Sequence, residues 1–270
     1  MSDTVPACHS TVDDLPRLGP DDTLTFRCGR DLDCFTNCCR DVSIVLTPYD
    51  VLRMARALHL QTDDFLATYT LSPFTREQRI PVVLLKMDQE TKRCPFVSAE
   101  GCRVYHDRPW ACRMYPLGRA EPKNPSPDHR PFHFLVQEPL CHGHGCGTPR
   151  TLRAWLDEQG LDDYDMMGRP FAELMLHDFW SRGEPLSPKK MSMYFTACYD
   201  LDAFRRFVFE TRFLQLFEVD EARVEALRTD DQELLEFAIQ WLRFALFGER
   251  TMRTKGDAVS ARQAREAAMP

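Results

Sequence analysis

Cysteine is the residue that could do chemistry here, and it is unevenly placed. The 270-residue chain holds eleven, of which nine lie between Cys28 and Cys146: Cys28, Cys34, Cys38, Cys39, Cys94, Cys102, Cys112, Cys141 and Cys146. Cys8 and Cys198 stand outside that stretch. The first ten residues carry neither a basic segment nor an apolar one, so the expected compartment is the cytosol, where thiols stay reduced. An odd total also makes a disulfide framework the weaker reading. Crowded thiols in a reducing compartment point to metal, and thiolate is a soft donor that selects zinc, Cu(I) or iron–sulfur clusters over magnesium or calcium.

Spacing narrows the choice. Cys28-x5-Cys34-x3-Cys38-Cys39 is a compact run, and Cys94-x7-Cys102-x9-Cys112 returns a second set. Neither has the paired CxxC knuckles of a simple zinc ribbon, whereas iron–sulfur clusters accept wide and remote ligands, so the spacing leans to iron–sulfur and leaves zinc in an irregular cage open. In an extended segment the neighbours Cys38 and Cys39 point in opposite directions and can serve different sites. Eight thiolates suffice for two four-cysteine centres, and such centres are anionic. Arg27, Arg30, Arg40, Lys92, Arg93, Arg103, Arg108 and Arg113 lie within a few residues of a cysteine. Each alone reads equally as a solvated side chain, but together they fit an anionic centre.

The loop Cys141-His142-Gly143-His144-Gly145-Cys146-Gly147 is the other cluster. Its glycines permit close backbone approach, so it reads first as a metal cradle, then as a structural turn, and least as a phosphate loop. His142 and His144 alternate, so at most one is expected to face a site. His9, His59, His129 and His177 read as surface or satisfied residues.

Taken together, Cys28 to Cys39, Cys94, the pattern Cys102-x2-Tyr105-x2-Arg108-Pro109-x2-Cys112-Arg113-x-Tyr115-Pro116 and the remote Cys141 resemble the CxxCxxCC cysteine-cluster family (YkgJ-like), a zinc- or iron-chelating domain. The resemblance spans residues 24–147, and the first run has x5 and x3 gaps where the family's label has x2 and x2. It implies metal binding, with the matched cysteines as ligands: Cys28, Cys34, Cys38, Cys39, Cys94, Cys102, Cys112 and Cys141, Cys146 standing in reserve. The same family includes flagellin-lysine N-methylases, which implies a metal-dependent protein-modifying enzyme as an alternative. Within the pattern, Pro109 blocks helix continuation and biases Arg108 to an extended conformation, aiming Cys112 back toward Cys102. Tyr105 and Tyr115 read as packing residues rather than shields.

The elements that must hold these residues are legible in part. Thr47-Pro48 starts an amphipathic helix that buries Val51, Leu52, Met54, Ala55 and Leu58. Thr62 caps a second helix through Tyr69. Ile80–Met87 and Phe132–Val136 read as strands, and 121–131 as an exposed proline-rich loop. Beyond Thr148 the texture is helical: Thr148-Pro149 to Gln159 ended by Gly160, then Pro170 to Ser181, Leu201 to Phe217 and Asp230 to Phe247. The expected fold is α+β, mostly α. Its parts are a leader (1–22), an irregular cysteine-bearing module (23–147), a helical domain (148–247) and a loose tail (248–270).

Composition excludes other classes. With 34 Lys+Arg against 41 Asp+Glu, a net charge of -7 and 43% hydrophobic residues, the chain is neither disordered nor built to grip nucleic acid. Its longest apolar runs, Val82–Leu85 and Phe244–Phe247, fall far short of the ~20 residues that span a bilayer. A lone catalytic thiol is a poor fit to a crowd of them. The sequence therefore predicts a cytosolic metal-binding protein holding an iron–sulfur cluster (4Fe–4S) or zinc, in one or two centres, with a redox, sensing or scaffold role and a protein partner or substrate it does not identify. No convincing S-adenosylmethionine loop supports the enzyme, and a purely structural zinc protein is the remaining alternative.

Overall fold

The computed structural model describes residues 15–72, 81–122, 130–182 and 186–256. Cys8, His9, His129 and most of the proline-rich loop lie outside them.

Among the described residues, nine short strands form four small sheets. β1 (Thr23–Leu24) pairs with β9 (Arg150–Thr151). β2 (Val45–Leu46), β3 (Thr70–Leu71) and β4 (Val83–Leu85) make an antiparallel sheet with β4 in the centre. β5 (Val97–Ser98) and β6 (Gly101–Cys102) form a hairpin, and β7 (Leu117–Ala120) pairs with β8 (Phe132–Leu135). The strands expected over Ile80–Met87 and Phe132–Val136 are present as β4 and β8, each shorter than expected, and Ile80 lies outside the described residues.

The helices are α1 (Pro48–Ala57), α2 (Thr62–Tyr69), α3 (Trp110–Met114), α4 (Leu152–Glu158) and α5 (Leu161–Met175), then α6 (Pro188–Cys198), α7 (Leu201–Glu210), α8 (Phe213–Leu216), α9 (Glu221–Thr229) and α10 (Asp231–Leu242). The fold is α+β and mostly α, as its periodicity predicts. α1 opens on a full capping box: Asp50 N donates to Thr47 Oγ1 at 3.1 Å and Thr47 N donates to Asp50 Oδ2 at 2.8 Å. Its buried face is Val51, Leu52, Met54 and Ala55, with Leu58 at its end.

Four boundaries differ from expectation, each for a local reason. Thr62 lies inside α2 rather than capping it. Its N–H donates to Asp202 Oδ2 at 2.8 Å, so a carboxylate from α7 satisfies the first turn instead. Thr148 does not start α4, because Arg150 and Thr151 are taken up in pairing with β1 and Thr151 Oγ1 then caps the helix by accepting from Ala154 N at 3.2 Å. α5 begins at Leu161, not Pro170: a buried face of Leu161, Tyr164, Met167, Phe171 and Leu174 runs straight through Pro170. The carbonyl left unpaired by that proline belongs to Met166, which is 53% exposed and open to water. The long helix expected from Leu201 to Phe217 breaks at Thr211, whose hydroxyl donates to Phe207 O at 2.6 Å and accepts from Phe213 N at 3.2 Å. α6 and α9 are not foreseen by the sequence reading.

α10 is capped by Asp230 and ends in a π-helical turn over Arg243–Phe247. Residues just beyond it, expected to be loose, are tied back: Gln240 Nε2 donates to Thr251 O at 2.7 Å and Met252 is buried.

One apolar cluster runs from Leu46 through α1, α2, β4 and α5 to α10 and Met252. The hydrophobic core therefore joins the segment around α1 to the helices that follow it. A smaller cluster of Leu24, Phe26, Met114, Leu117, Leu152, Trp155 and Leu161 lies beside the cysteine loops, and Trp110 packs on both. No described helix is long and apolar enough to cross a membrane.

Candidate metal centre

The ten described cysteines are all free thiols. Backbone pairing decides which of them meet. Arg27 N donates to Gly143 O at 3.2 Å and Gly145 N donates to Thr25 O at 2.9 Å, so the stretch before Cys28 is zipped to the loop that holds Cys141 and Cys146. Gly143 makes this approach feasible, since a Cβ there would meet Arg27 O at 2.5 Å. Farther on, His142 N donates to Cys34 Sγ at 3.3 Å and Cys146 Sγ donates to His142 O at 3.4 Å. The Cys28 thiol is pushed up to about 11, first by burial and then by the charges of Cys38, Cys34 and Cys141. Those four thiols form one neighbourhood. Tyr115 closes its inner side; burial and the neighbouring Cys141 both raise the phenol's pKa.

A second neighbourhood is assembled the same way. Arg40 bridges Arg93, and Cys94 N donates to Cys39 O at 2.8 Å. The β5–β6 hairpin turns the chain back so that Cys102 lies opposite Val97. Arg108 is extended and Pro109 precedes α3, which carries Cys112, as the Arg-Pro turn predicts. The start of α3 is held by Asp50, whose Oδ1 accepts from Trp110 N at 2.7 Å. Cys112 keeps one side open to solvent, yet protein surrounds its sulfur closely enough that burial lifts the thiol to about 12, with the charges of Cys94, Asp50 and Cys102 adding to the effect and Arg108 opposing it. Burial likewise raises Cys94 and Cys102.

Cys38 and Cys39 join the two neighbourhoods. The expected extended geometry is not found: Asn37–Cys39 is a single 3₁₀ turn. At three residues per turn its side chains still diverge, and Cys39 lies in the field of Cys94 and Cys112 while Cys38 acts on Cys28. The two thiols also touch, Cys38 being held low by the hydrogen bond from Cys39, which is raised in return.

The arginines are more committed than expected. Arg27 pairs with Asp31 at 2.5 Å. Arg113 donates to the carbonyls of Arg108 and Gln159 and lies 4.3 Å over the Tyr164 ring. Arg108 donates to Tyr105 O and Gln159 Oε1 and covers the Tyr105 ring at 4.0 Å. These two guanidiniums hold the loop, and Arg108 in addition favours the thiolates of Cys102 and Cys112. Tyr105 and Tyr115 do pack, the latter edge-on to Phe26 at 5.7 Å.

Cys198 lies apart, fully buried against Tyr194 in the helical core. His144 packs on Phe26, whereas His142 faces the first neighbourhood, its Nδ1 at 2.6 Å from Asp33 Oδ1. His177 stacks on Phe247 at 3.9 Å. Asp33 is absent from the sequence reading, since nothing local links it to a histidine 109 positions away, and Asp50 enters it only as part of the helix start Thr47-Pro48-Tyr49-Asp50.

Among the described residues, a single trio of Cys, His and carboxylate ligand atoms lies within 4.8 Å of one another: Asp33, Cys34 and His142. No three sulfurs of the described residues are that close, although the sulfurs of a tetrahedral zinc site at Zn–S ~2.3 Å stand only about 3.8 Å apart.

Residues 27–141 match the model of the CxxCxxCC family, described as "Putative zinc- or iron-chelating domain". No curated protein and no solved structure matches the chain.

Proposed function

We propose, for a chain that carries a CxxCxxCC domain over residues 27–141, that its eight thiols within that span hold two iron–sulfur clusters of the 4Fe–4S type and that the protein works in electron transfer or redox sensing. One centre takes Cys28, Cys34, Cys38 and Cys141. The other takes Cys39, Cys94, Cys102 and Cys112. What supports this reading is that backbone ties lay the Cys141 loop along the stretch from Thr25 to Cys34 and join Cys39 to Cys94, with Cys38 and Cys39 in contact where the two groups meet. The family's span encloses all eight and leaves Cys146 and Cys198 outside.

The donor set fits a soft metal, and the spread of the sulfurs favours a cluster over a single zinc ion, because a cluster interposes its own iron and sulfide atoms between the thiolates. When bound, it supplies a one-electron couple. The chain's residues orient the sulfurs, donate the His142 N–H to Cys34, and set Arg108 beside Cys102 and Cys112 to balance charge. The two sites differ in access. Cys28 and Cys38 give the first centre two exposed ligands and Cys112 gives the second one, seated between α1 and α3, so a cytosolic protein partner would exchange electrons over the first centre.

Anaerobic purification followed by iron, sulfide and zinc analysis tests this. The expected result is brown protein with absorbance near 400 nm and about equal iron and sulfide. Colourless protein with stoichiometric zinc and no sulfide would overturn it.

A further inference from the structure

Beside the first thiol set lies a group of different chemistry. Asp33 and Cys34 are consecutive, and both reach His142 because the Arg27–Gly143 pairing lays the Cys141 loop alongside them. Their carboxylate oxygen, thiol sulfur and imidazole nitrogen lie mutually within 4.8 Å. A mixed O, S and N set of three is the donor set of zinc-class ions with a fourth position left open, and iron–sulfur ligation has no need of the carboxylate.

We infer that Asp33, Cys34 and His142 form a mixed-donor site for one divalent cation of the zinc class, at the solvent edge of the first thiol set. His142 Nδ1 and Asp33 Oδ1 are 2.6 Å apart, joined by a proton. A cation replaces that proton, and the two atoms need widen only to about 3.3 Å to take tetrahedral positions at ordinary Zn–N and Zn–O distances. Cys34 is 9% exposed and its sulfur already accepts the His142 N–H, which steadies a thiolate. The side chains of His142 and Asp33 are 56% and 78% exposed, so the remaining position opens to water. The site rests on the preceding reading in one respect: Cys34 is then a bridging thiolate between the cation and the first centre.

Cobalt(II) is a suitable probe, titrated into the full-length protein after anaerobic loading with iron and sulfide and compared with Asp33→Asn and His142→Ala. Both substitutions are at exposed side chains outside the core and leave every thiol in place. The expected result is one cobalt ion per wild-type chain, with the intense visible bands of a tetrahedral thiolate site, and affinity weakened at least ~10-fold in each variant while iron and sulfide stay unchanged. Equal cobalt binding in all three proteins, or none in the wild type, would overturn the site. So would loss of iron in step with cobalt in His142→Ala, which would make the histidine part of the cluster's own shell. Failure of the iron–sulfur reading is seen separately, as absence of iron and sulfide from the wild type; the empty thiols then take cobalt too, and the site is read from one cobalt ion fewer per chain in Asp33→Asn and His142→Ala, an equal count overturning it.

Discussion

Asp50 Oδ1 accepts a hydrogen bond from Trp110 N at 2.7 Å while Oδ2 of the same carboxylate accepts from Thr47 N at 2.8 Å. One buried side chain thus closes the capping box of α1 and fixes the start of α3, two residues before Cys112. Burial raises its pKa to about 6, so much of its ionised form survives at neutral pH only because these two N–H groups and Arg113 oppose the cost.

Asp50→Ala removes both acceptors and leaves the half-buried N–H groups of Thr47 and Trp110 without partners. A loss of roughly 2–4 kcal/mol is expected from the cap and the unsatisfied donor together. Asp50→Asn keeps one acceptor and should cost less. Urea unfolding of the two variants checks the order, and metal analysis should show Asp50→Ala retaining less metal, since Cys112 loses its anchor. Equal stability of the Ala variant and the wild type would show that the carboxylate positions nothing.

The division of the thiols makes a sharper demand on their substitution. Cys38→Ser should remove one centre and leave the other, and Cys112→Ser should do the converse, so each variant keeps about half the iron. Cys198→Ser should keep it all, because that sulfur packs against Tyr194 far from either set. Iron and sulfide per chain, read with the absorbance near 400 nm, decide this. Complete loss of iron in both single variants would mean one shared centre, and full retention in Cys112→Ser would remove that residue from the ligands.

What the sequence discloses and what it hides follow from range. Thr47-Pro48-x-Asp50 is a contiguous signal, and α1 starts where it says. The Arg-Pro turn before Cys112 is equally local. Thr62 misleads because its capping partner, Asp202, is 140 residues away. Thr148 misleads because pairing with Thr23 and Leu24 displaces the helix start to Leu152. Pro170 carries a real breaking tendency, outweighed by five buried side chains on the same face of α5. At the site, the count of eight thiols is legible, but their sorting depends on backbone ties such as Cys39–Cys94, and Asp33 shows no sign of its histidine until the chain is folded.

A second carboxylate with a structural task, Asp202 of α7, meets the far end of α1. Asp202 accepts from Thr62 N at 2.8 Å and from Arg56 Nη2 at 2.8 Å, and Arg56 also pairs with Asp231 at 2.8 Å, so α1, α2, α7 and α10 share one network. Burial by itself would raise the Asp202 pKa, but Arg56 and Thr62 outweigh it and the net shift is downward. A depressed pKa in the folded state stabilises the protein above the unfolded value of 3.8, and that contribution is lost as pH falls through 3.8 and below. Asp202→Asn should therefore cost about 2–3 kcal/mol near pH 7, the scale of hydrogen bonds to a charged group, and the difference from wild type should shrink in acid below about pH 4. Stability measured against pH for both proteins tests the sign; a gap that widened on acidification would contradict it.

Removing the metal should divide the molecule unequally. The large apolar cluster is built from α1, α2, β4 and α5 to α10, and of the proposed ligands only Cys94 and Cys102 pack against it. Stretches 28–41 and 138–147 have short turns and few buried side chains, so on the proposed reading the thiol–metal bonds hold them in place. Anaerobic chelation should leave most of the far-UV helical signal and open these two stretches, the first of them seen as new cleavage by trypsin at Arg30 or Arg40. Mass spectrometry of the fragments reads the positions. Global loss of helix on chelation would place metal and helical core in one cooperative unit, and an unchanged digest would mean that stretch 28–41 stands without the metal.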